Sequence, residues 1–265
     1  MSTGAFYLPL GADRWRATVH TTGPWDARYQ HAGPPSALLS RAVERCQPRD
    51  DMVVARVTVD VLGPVPVGDL EVRARLSRPG RSVELLEASL SAGGRDVARA
   101  TAWRIRRTVG VAVASRLAEA PALPDTEMPI PGSGWVDGYL SAVEWRLAAG
   151  GFGQMGPATA WSRLRYPLVP DEEPTGLQRV MAVADSGNGL SSELDLAHWH
   201  FINPELTVHL HREAVGEWIC VDAVTTISDG GTGLATTRLA DLSGPLGVGA
   251  QSLLVAPRPS EEASP

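Results

Sequence analysis

The stretch TGLQRVMAVADSGNG (Thr175–Gly189) decides how the rest of the chain is read. Leu177, Val180, Met181 and Ala184 fall at i, i+3, i+4 and i+7, one face of a helix, and Gly187 with Asn188–Gly189 supplies a stop. Asp185 then stands close to the apolar stripe at the C-terminal end. An anion there is doubly disfavoured, by the apolar wall and by the negative end of the helix dipole, which is the setting of a working base. The plainer alternative is an Asp beside a C-cap that points to water.

On the C-terminal side of this helix, strands are expected at 199–211, 216–228, 232–242 and 246–256, and on its N-terminal side Trp135–Ala149 and Thr159–Leu168 are strand-like. The first half shows the same order. Residues 6–19 read as two short strand-like pieces, and a helix follows Gly33–Pro34–Pro35 with the stripe Leu38, Leu39, Ala42, Val43, Cys46. Residues 53–61 and 70–77 alternate as half-buried strands, and 81–92 and 95–106 are joined by Gly93–Gly94, a hairpin signal. Residues 109–134, rich in Ala and Pro, read as a linker, giving units 1–108 and 135–265.

The duplication becomes concrete when VTVDVLGPVPVGD (57–69) is laid over LTVHLHREAVGE (206–217), and LSAGGRDVARATAW (90–103) over LADLSGPLGVGAQSL (239–253), each with one gap. Few residues are identical, but the order and spacing of elements agree. The expected class is α+β, one helix against an antiparallel sheet, twice in one chain.

Composition narrows the function classes. The 265 residues are 43% apolar and 20% charged, enough for a sizeable core, and the formal charge is −6 with all basic charge except histidine carried by scattered arginine. Neither nucleic acid nor an anionic membrane surface is an expected partner. Cys46 and Cys220 stand far apart without His or Cys at ligand spacing, so buried free thiols are expected rather than a disulfide or zinc site. His209 and His211 lie two apart on one strand with His200 nearby, but lack a third ligand at convincing spacing, and no metal is expected. No apolar run approaches the roughly 18 residues of a membrane span, and no leader pattern opens the chain, so a cytoplasmic protein is expected.

Five pieces, in order, carry a resemblance: QHAGPPSALLSRAVE (30–44), VADSGNGL (183–190), FINPELTVHLHR (201–212), VGEWICVDA (215–223) and DLSGPLGVGAQSLLV (241–255). Together with the duplicated helix-and-sheet order they resemble the double hotdog fold, and within it the acyl-CoA thioesterase family related to bacterial thioesterase II. The resemblance implies hydrolysis of an acyl-CoA without a cofactor. An Asp on the second helix, a Thr or Ser near the start of the next strand and a Gln on the last strand hold and activate a water. These fall on Asp185, Asn203 and Gln251; Asn203 departs from the family's hydroxyl, and Thr207 is the reserve candidate.

The chemistry agrees with the residues themselves. Thioester hydrolysis needs a base, groups that position water and donors for the developing oxyanion. Asp185 supplies the base, and Asn203 and Gln251 can orient water. For the oxyanion, the N-terminus of the first helix offers backbone N–H groups at Gly33, Ser36 and Ala37, the two prolines having none. In the first half Thr101 falls opposite Gln251, and Glu44, near the position of Asp185, projects away from the stripe, so one active site per chain is expected. Arg41, Arg45 and Arg179 are possible contacts for coenzyme A phosphates, and a homo-oligomer is expected from the exposed sheet edges.

Two other readings compete. Asp26 and His31 form D-x-x-x-x-H before a helix, similar to the hotdog enoyl-CoA hydratases but without their intervening Asn-Pro, and helix capping is the plainer role for His31. A duplicated hotdog could also bind an acyl thioester without hydrolysing it. A serine nucleophile is not expected, since there is no G-x-S-x-G elbow and Ser186 and Ser191–Ser192 lack its strand-turn-helix setting.

Overall fold

A computed structural model describes residues 4–108, 110–111, 115, 117–129, 137–195 and 197–258. The first half runs β1 (Tyr7–Pro9), β2 (Arg14–Ala17), a single 3-10 turn (Val19–Thr21), α1 (Gly33–Arg45), β3 (Met52–Val61), β4 (Asp69–Arg78), β5 (Val83–Ala92) and β6 (Arg95–Arg106). The second runs α2 (Tyr139–Ala142), β7 (Val143–Ala149), β8 (Ala158–Leu164), α3 (Gly176–Ala184), α4 (Gly187–Leu190), β9 (Trp199–Ile202), β10 (Glu205–Leu210), β11 (Ile219–Ile227), β12 (Thr232–Asp241) and β13 (Gly244–Pro257). Trp135, the expected start of a strand, lies outside the described residues, as does part of the expected linker.

All strands among the described residues join one antiparallel sheet in the order β1-β2-β4-β5-β6-β3-β10-β13-β12-β11-β8-β7, with β9 on β13. The order is palindromic about the β3–β10 contact, where Thr58 faces Thr207. Thr58 pairs with Thr101 as Thr207 with Ala250, Thr101 with Glu87 as Ala250 with Thr236, and Glu87 with Arg75 as Thr236 with Val224, a constant shift of 149 residues. Even the β-bulge recurs, between Leu90 and Ser91 in one half and Leu239 and Ala240 in the other. The two sequence overlays start on this shift, but the gap in the second does not exist. Gln251 therefore corresponds to Ala102, not Thr101.

Inside the curved sheet α1 and α3 pack side by side. Their burial on nearly all sides explains why α1 presents Leu38, Leu39, Ser40 and Val43 to the core at once. The approach is closest at Gly33, where a Cβ would fall 2.1 Å from the carbonyl oxygen of Ala182, so any side chain there would push the helices apart.

Three sequence expectations are corrected. Gly187 does not end helical structure: the chain breaks at Asp185–Ser186 and resumes as α4, held by tertiary bonds from Gln251 and Thr225. The strand expected over 199–211 is interrupted at Asn203–Pro204, because proline cannot donate to the ladder. A helical turn, Tyr139–Ala142, precedes β7 where continuous strand was expected. Cys46 is half-buried and Cys220 buried, both free, and burial pushes the Cys220 thiol up to about 12.

Candidate functional site

Asp185 sits where α3 ends, at the N-terminus of the antiparallel α1, and its side chain is only 5% exposed. Asp185 and Ser186 keep right-handed helical backbone angles, but the Ser186 N–H turns to the Val183 carbonyl (3.0 Å), so the helix tightens here before α4 begins. Two amides meet one of its oxygens: Asn203 Nδ2 donates to Oδ1 at 2.7 Å and Gln251 Nε2 at 3.2 Å. Gln251 is itself fixed, its Nε2 also donating to the Asp185 carbonyl (3.1 Å) and its Oε1 accepting the Asn188 N–H (3.1 Å). Asn203 arrives through the strand break, where both it and Leu206 point inward although three residues apart. No described group bonds Asn203 Oδ1, and Asn203 is the most exposed of the three.

The other carboxylate oxygen faces the first half. His31 Nδ1 lies 3.3 Å from Asp185 Oδ2 and accepts the Gly33 N–H at 3.1 Å. Burial lowers the pKa of His31, with the Asp185 charge acting in the opposite direction. The imidazole is stacked on Tyr139, ring centroids 3.9 Å apart and planes at 11°. Its Nδ1 carries a lone pair when it accepts from Gly33, so Oδ2 has no donor among the described residues.

The structure thus brings Asp185, Asn203 and Gln251 into one hydrogen-bonded group. Thr207 is not part of it: its hydroxyl bonds Thr58 Oγ1 and the Glu205 carboxylate on the far face of the sheet. Among the expected oxyanion donors, Ser36 and Ala37 are corrected. The Ser36 N–H bonds the Ala32 carbonyl (3.0 Å), and Ala37 lies a residue deeper, where the helix ladder takes the N–H. Gly33 is corrected too, its N–H being donated to His31 Nδ1, and the donor left at this helix start is the Ala32 N–H, which has no partner among the described residues.

Residues 21–105 match the family model described as the acyl-CoA thioesterase N-terminal domain, and residues 117–255 match the one described as the acyl-CoA thioesterase C-terminal domain. The chain belongs to the acyl-CoA thioesterase family. Solved structures agree on the fold. A protein of unknown function with a hot dog fold from Alicyclobacillus acidocaldarius superposes with a TM-score of 0.70 at 15% identity, covering 95% of this chain and 96% of its own. The acyl-CoA thioesterase II TesB2 of Mycobacterium marinum gives 0.64 at 17% identity, covering 98% and 97%. A protein from Novosphingobium aromaticivorans assigned as a thioesterase gives 0.68 at 22% identity, covering 94% and 98%. No curated protein matches the sequence. The fold is a double hotdog.

The shift of 149 residues shows why the two halves of this family member are unequal. Asn203 corresponds to Val54 and Gln251 to Ala102, apolar residues that cannot hold a carboxylate or a water. Glu44 instead accepts hydrogen bonds from Gln178 Nε2 (2.7 Å) and Thr175 Oγ1 (2.8 Å) at the start of α3, and burial raises its pKa. Arg41 and Arg45 pair with Glu172, and Arg179 with Glu173, so none of the three offers an unengaged guanidinium to a phosphate. Asp26 is held by the side chain and backbone of Arg28, which lower its pKa to about 2, and does not reach His31. Sequence reading missed the contact of His31 with Asp185. Its only signal was a polar residue immediately before a helix start.

Proposed function

We propose that the protein hydrolyses an acyl-CoA thioester through a water activated by Asp185. The observation that carries this reading is the asymmetry of the carboxylate: Oδ1 is tied to two amide donors while Oδ2 has none among the described residues, in a member of the acyl-CoA thioesterase family. Asp185 Oδ2 takes a proton from water as the water oxygen bonds the thioester carbonyl carbon. Asn203 Oδ1 accepts a hydrogen bond from the second O–H, whose proton stays on the water oxygen, and so aims the lone pair. The oxyanion is met by the Ala32 N–H, backed by the positive end of α1. Collapse breaks the C–S bond, and the proton held by Asp185 leaves with the thiolate, giving a carboxylic acid and free coenzyme A. His31 Nδ1 shares the proton with Oδ2 while the carboxyl group is protonated, at the distance the two already have.

Hydrolysis of a panel of acyl-CoA esters, short to long and aromatic, followed by release of free thiol, tests the reading. Turnover on at least one member is expected. Binding without release across the panel would replace it with an acyl-thioester binding protein, and hydration of an enoyl-CoA with no thiol release would replace it with a hydratase.

The departure at Asn203 makes a second expectation. Asn203→Ala removes a hydrogen bond to a charged group, worth about 1.5–3 kcal/mol, so kcat is expected to fall roughly 10- to 100-fold. Asn203→Thr restores a hydroxyl and is expected to retain more activity than the alanine variant. Equal rates in wild type and Asn203→Ala would remove Asn203 from the water site.

A further inference from the structure

Tyr139 has no part in the chemistry above, yet it touches both sides of the carboxylate's support. It is fully buried, and its ring forms the floor on which His31 lies. Its hydroxyl donates to the Ala182 carbonyl at 2.9 Å and lies 2.8 Å from Ser186 Oγ. A phenol has one proton; with that proton on Ala182, the Ser186 hydroxyl is the donor to the tyrosine oxygen.

These two partners bracket Asp185. In an uninterrupted helix the Ala182 carbonyl would accept the Ser186 N–H, four residues on. Here that N–H turns to Val183 (3.0 Å), and the carbonyl it leaves is taken by the tyrosine hydroxyl. The hydroxyl therefore takes the place of the Ser186 N–H on the Ala182 carbonyl, at the point where the helix tightens around Asp185. We propose that Tyr139 is a positioning residue for the hydrolysis, its hydroxyl fixing the helix break that presents Asp185 and its ring holding His31 against Oδ2. The inference rests on the hydrolytic reading of the same site.

The way Tyr139 is anchored fits that role better than simple core filling. Its N–H bonds the Thr22 carbonyl (2.9 Å), and the residue before it is Gly138 at φ 146°, where a Cβ would fall 2.8 Å from the same oxygen. Thr22 belongs to the segment that leads to His31, whose own N–H bonds Thr21 (2.9 Å). Behind the ring, Trp145 packs edge-on at 6.3 Å, its indole N–H bonded to the Leu140 carbonyl. The backbone of Tyr139 is thus tied to the loop of the first half that supplies His31, while its ring meets the imidazole itself.

The test compares Tyr139→Phe and Tyr139→Leu with wild type in steady-state hydrolysis and in NMR titration of the His31 ring, with folding checked by circular dichroism. Tyr139→Phe keeps the ring and loses both hydroxyl bonds. Its kcat is expected to fall about 10- to 100-fold with KM little changed, because a small misplacement of a reacting group is costly, and its His31 titration to stay as in wild type. Tyr139→Leu opens the floor, and His31, kept below its ordinary value by burial, is expected to titrate higher. Folded variants with wild-type kcat and wild-type His31 titration would overturn the proposal. If wild type hydrolyses nothing, the hydrolytic reading fails on its own evidence, and an unmoved His31 titration in Tyr139→Leu then overturns the positioning role as well.

Discussion

Asp185→Asn is expected to lower kcat by about 100- to 10,000-fold, the range that a positioned general base contributes. The substitution is nearly isosteric. The new amide oxygen still accepts from Asn203 Nδ2 and Gln251 Nε2, and the new NH₂ faces His31 Nδ1, whose one lone pair it shares with the Gly33 N–H. The cradle survives while the base is lost. KM is therefore expected to change little, and the loss to appear in kcat and kcat/KM alike, as it does when an interaction made only in the transition state is removed. Thiol release on the preferred acyl-CoA from the panel measures it. A variant that keeps a tenth or more of wild-type kcat would show that another group takes the proton.

What makes this experiment possible to frame from sequence is the periodicity around Asp185. Leu177, Val180, Met181 and Ala184 place it at one end of a buried stripe, and alternation places Gln251 on the same strand face as Leu253 and Val255. Both are local patterns, and local patterns survive in a single chain. Asn203 was reached by the resemblance, and its inward orientation depends on a strand break that Pro204 announces but does not orient. His31 and Tyr139 were not legible in the same way. Their contacts with Asp185 and Ser186 join residues 154 and 47 positions apart, across the interface of α1, α2 and α3, and no period reports such a meeting. The helix stop at Gly187 failed for a related reason. Two glycines and an asparagine have poor intrinsic propensity, but Gln251 Oε1 on the Asn188 N–H and Ser191 against Thr225 hold the turn helical from outside. The false gap in the overlay came from aligning residue types where the sheet repeats only positions.

The duplication also predicts which buried charges the fold can spare. Glu84 and Arg104 face each other across β5 and β6 on the inner side of the sheet's first half, each side chain 5% exposed. Arg104 Nη2 and Nε reach Glu84 Oε2 at 2.6 and 3.0 Å, and Arg49 takes Oε1 at 2.9 Å. Burial opposes ionisation of Glu84, but the hydrogen bonds from Arg104 and Arg49 outweigh it and hold the carboxyl below the usual carboxylate range. With the folded pKa depressed, the associated stability is present above the unfolded value of about 4.3 and is lost as pH falls through the folded one. Glu84→Val is expected to cost about 3–5 kcal/mol at neutral pH, because it leaves the Arg104 guanidinium charged, buried and without its carboxylate. The shift of 149 residues puts Gly233 and Leu253 at the same cross-strand place in the second half, where Leu253 is buried against Ala235 and Val255. The same sheet position thus already tolerates an apolar pair. Glu84→Val combined with Arg104→Leu is therefore expected to be more stable than Glu84→Val alone, since the second change removes the orphaned charge instead of adding a loss. Urea unfolding of wild type, both single variants and the double variant at neutral pH measures the coupling. A double variant less stable than Glu84→Val would mean that the ion pair holds the end of α1 through the Arg104 bond to the Cys46 carbonyl, and that the two halves are not interchangeable at this position.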